Sequence, residues 1–190
     1  MVYIRGQQED YNEWAKQPGC EGWDYETLLP YFRRSENFEL GDANRYHGKG
    51  GELNVTNCRT EYEQSDYYLR AAQAAGIPRT DDFNGEQQEG VGYFQLNQKA
   101  GKRWSSAAAF LGKDVCKRKN LVIATNAVAA KILFHKTRAI GVHYLDGKGQ
   151  LQEVAAMQEV ILAAGALNTP ALLELSGVGR RDVIESNGIE

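Results

Sequence analysis

The sequence predicts a mixed α/β fold, with short helices and turns over the first 120 residues and strands with a closing helix over the rest. Three observations carry that prediction. Leu121–Thr125 and Glu159–Gly165 are apolar runs of the kind that forms buried strands. Between them, Ala129–Phe134 and Ala139–Leu145 read as strands paired around the turn Lys136-Thr137-Arg138. Residues 1–120 are instead rich in Gly, Asn, Gln, Tyr and charge, with helical patterns divided by turn signals.

Taken in order, Tyr25–Glu36 is a helix, because Leu28, Leu29, Tyr31 and Phe32 fall at helical spacing; Pro30 must sit near its start or kink it. Ser65–Ala75 is a second helix, capped by Ser65, with Asp66 suiting its positive end and Gly76 and Pro78 stopping it. A turn-rich stretch, Asp81–Gly85, leads to a strand at Gly92–Asn97. Arg103–Leu111 is helical, with Ser105 or Ser106 as cap. In the strand Ala139–Leu145, Ile140, Val142 and Tyr144 share one face and His143 points the other way. Asp146-Gly147 turns the chain into Leu151–Ala155. After Glu159–Gly165, Thr169 caps a helix with Pro170 at its first position and Gly177 past its end. The order strand, β-meander, buried strand, small-residue turn and helix resembles the second half of a Rossmann-like flavin-binding domain.

Bulk properties narrow the function. Of 190 residues, 42% are hydrophobic and 25% charged, which is ordinary globular composition. Lys and Arg number 22 against 25 Asp and Glu, a formal charge of −3. With Lys117-Arg118-Lys119 as the main basic run, that balance argues against nucleic acid or an anionic membrane as partner. No apolar stretch approaches the ~20 residues of a membrane span. Met1–Arg5 leads straight into Gln7-Gln8-Glu9-Asp10, so no secretory signal is read here. The cysteines, Cys20, Cys58 and Cys116, are far apart and form neither a disulfide framework nor a zinc site; a reducing cytoplasm is expected.

Gly165-Ala166-Leu167-Asn168-Thr169-Pro170-Ala171-Leu172-Leu173-Glu174-Leu175-Ser176-Gly177-Val178-Gly179 is the most informative segment. Small residues let a backbone approach a bulky ligand, and a helix N-terminus favours anionic groups. Close strand–helix packing without a ligand explains the same residues equally well. The segment, however, resembles the second signature of the glucose–methanol–choline oxidoreductase family, in which Gly165, Ala166, Thr169, Pro170, Leu172, Leu173, Ser176, Gly177, Val178 and Gly179 all fit. Other stretches are similar to that family in order and spacing: Met1-Val2-Tyr3-Ile4-Arg5-Gly6, Tyr11 with Trp14, Gly22-Trp23, Leu29-Pro30-Tyr31-Phe32, Tyr46-His47-Gly48, Gly51-Glu52-Leu53, Asp82-Phe83-Asn84-Gly85, Gly90-Val91-Gly92-Tyr93 and Lys102-Arg103-Trp104-Ser105-Ser106-Ala107. The likeness is to the choline-dehydrogenase-like and alcohol-dehydrogenase-like branch and covers essentially the whole chain.

The resemblance implies FAD as cofactor, a small-molecule alcohol as substrate, and oxidation of that alcohol to a carbonyl with hydride passing to the flavin. It implies that Met1 and Val2 lie against the flavin and that Ala129, two residues before Lys131, contacts the adenine through its backbone; valine is usual there. Ala163, Ala164 and Gly165 resemble the turn beside the adenosine, with Asn168 and Thr169 as further candidates. In domain terms it implies FAD-domain pieces at 1–50 and 99–190 and a substrate-domain piece, part of an antiparallel sheet, at 51–98. The family's GxGxxG fingerprint is not found, since Gly90-Val91-Gly92 and Gly177-Val178-Gly179 both read as turns. The family's base is a C-terminal histidine paired with a second histidine or an asparagine. His47, His135 and His143 show no metal-ligand spacing and read as ordinary surface or core residues. The chain is therefore expected to be an internal piece of a flavoenzyme, inactive alone. The rival expectation is a complete non-enzymatic binding or subunit module.

Overall fold

The computed structural model describes residues 1–189, which form two compact units dividing after Leu121. In the first unit, α1 (Gln8–Ala15) packs on α2 (Tyr25–Ser35). The contact is aromatic: Tyr11 of α1 meets Phe32 at 5.6 Å and Tyr25 at 6.2 Å between ring centroids. Tyr25 and Leu29 are buried, whereas Trp14, Trp23 and Tyr31 are exposed, so the aromatic packing centres on Tyr11. Asp24 caps α2 by accepting from the Thr27 amide at 3.0 Å. Pro30 sits inside the helix and not at its start.

Two short strands follow, β1 (Glu36–Phe38) and β2 (Leu53–Val55), paired parallel with Glu36 opposite Leu53. Next comes α3 (Glu63–Ala74), which begins two residues before the expected cap. Ser65 lies in its first turn and its amide bonds the Tyr62 carbonyl. The expected strand at Gly92–Asn97 is an extended segment making isolated bridges, Leu96 lying opposite both Val2 and Thr56. A hairpin of β3 (Gln98–Lys99) and β4 (Lys102–Arg103) leads to α4 (Ser106–Phe110), shorter than predicted, and α5 (Lys113–Cys116). Ser105 caps α4, its hydroxyl accepting from the Ala108 amide at 3.2 Å.

The second unit is built on a three-stranded antiparallel sheet in the order β5 (Val128–His135), β6 (Arg138–Leu145), β7 (Leu151–Ala155). This is the predicted meander. The register shift between Ala129 and Lys131 makes Ala130 the extra residue of a bulge. Then come α6 (Gly165–Leu175), which packs on β5, and α7 (Arg181–Ser186). Ile132 and Leu172 form the buried apolar centre. Ser176, also buried, accepts from the Ile132 amide at 2.8 Å and donates to the Leu172 carbonyl at 2.6 Å. The helix ends in a Schellman motif, with the Val178 amide on Leu173 O and the Gly177 amide on Glu174 O.

Two expected strands do not form. Leu121–Thr125 and Glu159–Gly165 carry no ladder bonds, the last residue of the second run opening α6 instead, and Val122 is 90% and Ile161 79% exposed. The apolar pattern records a tendency to be buried, but a strand also needs a neighbour to take its amides and carbonyls, and none pairs here. The predicted helix start is displaced as well: α6 begins at Gly165 and Pro170 lies inside it.

Candidate functional site

The residues expected to face a cofactor fall in both units. In the first, Met1–Arg5 runs extended against residues 95–97. The Tyr3 amide bonds Gln95 O at 2.8 Å and the Asn97 amide bonds Met1 O at 2.9 Å. Met1 and Val2 keep about half of their surface exposed, 49% and 48%. Met1 borders a cavity of about 360 Å³ completed by Leu53, Asn97, Arg103, Trp104, Ser105 and the start of α4. Trp104 is fixed there, its indole N–H donating to Glu52 O at 2.8 Å.

Behind that segment is a polar core. His47, 1% exposed, is stacked on Phe38 at 3.8 Å and lies between two carboxylates. Its Nδ1 is 3.1 Å from Glu36 Oε1 and its Nε2 is 2.8 Å from Asp82 Oδ2. A neutral imidazole carries one N–H, so only the imidazolium donates to both. Burial opposes that charge, but the hydrogen bonds to Asp82 and Glu36 prevail and hold the ring's pKa at about 9. Burial would likewise raise Asp82, yet His47 and the Asn84 amide keep its carboxyl below the ordinary value. Arg5 closes the cluster: Nη2 lies 3.1 Å from Glu36 Oε2 and Nη1 donates to Tyr46 O at 2.7 Å. Asn84 accepts from the Arg5 amide at 2.7 Å and donates to Gln95 Oε1 at 2.9 Å, while Gln95 donates to Asp82 Oδ1 at 3.0 Å.

In the second unit, Ala129 sits exposed on β5, an outer strand of the sheet, opposite Tyr144 and beside the bulge that redirects the backbone. Ala163, Ala164 and Gly165 form an exposed turn at the start of α6. Gly165 has φ +86°, which favours glycine, and nothing stands within 4 Å of where its Cβ would be, so a bulky group has room to approach this backbone. Thr169 is not the helix cap. Its hydroxyl reaches back to accept from the Ala164 amide at 3.1 Å, fixing the turn; Asn168 is exposed beside it. The helix thus brings the small-residue turn and β5 into one packed unit, and its first-turn amides carry no side-chain cap. These features fit a bulky ligand with anionic groups.

Sequence reasoning missed the lining residues Leu53, Asn97 and Trp104 and the whole Arg5–Glu36–His47–Asp82 cluster. The signals for them lay in stretches quoted only as likenesses, the one running from Lys102 to Ala107, His47-Gly48 and Asp82–Gly85. The other two histidines keep their ordinary reading, His143 sharing a 3.0 Å contact with Glu153 across β6 and β7.

The family model described as GMC oxidoreductase matches residues 1–187. The chain belongs to the GMC oxidoreductase family. Mitochondrial choline dehydrogenase of Mus musculus is 47% identical over 96% of this chain and 30% of its own length. Among solved structures, pyridoxine 4-oxidase from Mesorbium loti superposes with a TM-score of 0.88 at 34% identity, covering 100% of this chain and 37% of that one. An FAD-dependent oxidoreductase from Chaetomium thermophilum gives 0.86 at 30% identity, covering 100% and 35%. The chain therefore spans about a third of the length of the relatives it matches. The mixed α/β architecture is that of GMC FAD-binding oxidoreductases. No helix among the described residues is long and apolar enough to cross a membrane.

Proposed function

We propose that this chain is part of an FAD-dependent oxidoreductase acting on the CH–OH group of a small-molecule alcohol, with residues 1–50 and 99–190 belonging to its FAD domain and residues 51–98 to its substrate domain. The observation that carries the reading is the turn at Gly165, an open, left-handed glycine between exposed alanines at the uncapped start of an 11-residue helix, within a chain of GMC sequence. FAD, when bound, supplies the hydride acceptor. The residues of this chain hold and orient it: Ala163, Ala164 and Gly165 accept its adenosine part closely, Thr169 keeps that turn in shape, Asn168 offers an exposed amide beside it, and Ala129 presents backbone. Met1 and Val2 supply the apolar surface against the ring system. None of the three histidines takes the hydroxyl proton; His47 has both ring nitrogens engaged. That proton acceptor is proposed to come from the part of the relatives' length this chain does not span. The thiols of Cys20, Cys58 and Cys116 are free, which fits the reducing, cytoplasmic setting proposed for it.

The test is the flavin content of the intact protein that contains this segment, identified after release, followed by anaerobic titration with a panel of primary and secondary alcohols. Stoichiometric FAD that is reduced by at least one alcohol is expected. A stable, colourless protein, or bound flavin that no alcohol reduces, overturns the reading.

A further inference from the structure

We propose that His47 is a positioning residue for the cofactor-facing end of Met1–Arg5: as an imidazolium clamped between Glu36 and Asp82, it fixes the frame on which Met1 and Val2 are presented. The inference rests on the reading that Met1 and Val2 lie against FAD. The route is continuous. Asp82 receives His47 on Oδ2 and Gln95 on Oδ1. Gln95 O takes the Tyr3 amide, and Asn84, whose own amide bonds Asp82 Oδ1, takes the Arg5 amide. On the other side Glu36 receives His47 on Oε1 and both Arg5 and the Gly48 amide on Oε2. Every link between the clamp and residues 1–5 is thus a direct hydrogen bond or ion pair.

The groups that face His47 or its carboxylates are Glu36 from β1, Asp82 from its loop, and Arg5 and Tyr3 from the extended segment. Arg5, His47, Glu36 and Asp82 balance as two positive and two negative charges while the ring is protonated. Loss of that proton leaves a carboxylate facing a lone pair. Because the ring's pKa is held up at about 9, the clamp is complete near neutrality and opens as pH rises through that value.

The geometry also specifies a rescue. Asp82 Oδ2 meets only His47, while Oδ1 serves Asn84 and Gln95. Asp82→Asn places an amide N–H toward the ring at the Oδ2 position, keeps the other oxygen as acceptor, and lets a neutral His47 donate to Glu36 and accept from the new amide.

The experiment uses the intact protein and measures its affinity for FAD from pH 6 to 10, together with amide exchange at Tyr3 and Asn97 without FAD. In the parent, the dissociation constant is expected to be flat to about pH 8 and to rise about tenfold by pH 10, with the protection of both amides, relative to intrinsic exchange at each pH, falling in parallel. Asp82→Asn is expected to abolish that alkaline loss. His47→Gln is expected to bind about tenfold more weakly at pH 7 with no dependence over the same range. If His47→Gln does not fold, the parent profile and Asp82→Asn still decide. FAD binding that is equally tight across this range in the parent, or an alkaline loss that Asp82→Asn retains, overturns the positioning role alone. A protein that binds no FAD at any pH overturns the proposed function, and this inference with it.

Discussion

Replacing Ser176 by alanine tests how the second unit holds together. The hydroxyl accepts from the Ile132 amide at 2.8 Å and donates to Leu172 O at 2.6 Å, both good geometries, at a residue only 6% exposed. Alanine removes both bonds and leaves the Ile132 N–H without a partner, next to a side chain that is 2% exposed. Two net hydrogen bonds are worth about 1–3 kcal/mol, and stranding a buried donor pushes the cost toward the upper half of that range. The oxygen is small, so almost no cavity term adds. We expect a loss of ~2 kcal/mol, seen in the intact protein as a lower urea midpoint at unchanged m-value. Exchange at the Ile132 amide should quicken by roughly 30-fold, the same energy expressed as a ratio. A stability within about 0.5 kcal/mol of the parent, with Ile132 exchange unchanged, would refute the claim that this serine joins helix to sheet.

Two further perturbations probe close approach and the turn proposed to receive the cofactor. A Cβ on Gly48 would stand 1.8 Å from the Arg33 carbonyl oxygen, so Gly48→Ala should cost more than the ~3 kcal/mol typical of overpacking and largely prevent soluble expression; Gly41→Ala, whose Cβ would stand 3.9 Å from the Phe38 ring, should express and melt as the parent does. Thr169→Val removes the acceptor for the exposed Ala164 amide, which water can satisfy, so the melting temperature should scarcely move while FAD affinity falls about tenfold; Thr169→Ser should retain it, and equal affinity in all three proteins would sink the turn-fixing role.

What could be read from the sequence follows from the range of the forces involved. The meander from Val128 to Ala155 was legible because alternation and short turns are local signals, although Arg138, read as part of the first turn, opens β6. The closing Ser-Gly-Val-Gly was legible as a helix end, although the attachment of Ser176 to Ile132, across 44 residues, was not. Leu121–Thr125 and Glu159–Gly165 look like strands in sequence yet stay unpaired, because pairing depends on partners that no local pattern names. Thr169 followed by Pro170 imitates a helix start, and it took the positive φ of Gly165 to show where the turn lies. The Arg5–Glu36–His47–Asp82 cluster was invisible for the same reason. His47 stands 11 residues from Glu36 and 35 from Asp82, each amid turn residues with no periodicity to link them.

The long reach of the Met1–Arg5 contacts also has a meaning for biosynthesis. The Arg5 amide finds its acceptor on Asn84, 79 residues later, and Met1 waits longer still for Asn97. At a translation rate of about 5–20 residues per second, some 4–16 s separate the appearance of Arg5 from that of Asn84. Throughout that interval the amides of Tyr3 and Arg5 and the Met1 carbonyl lack their partners from residues 84–97, and the apolar side chains of Met1 and Val2 are open to chaperones or to neighbouring chains. The surface proposed to receive FAD is thus made of the earliest residues of this stretch to emerge and among the last to be set in place.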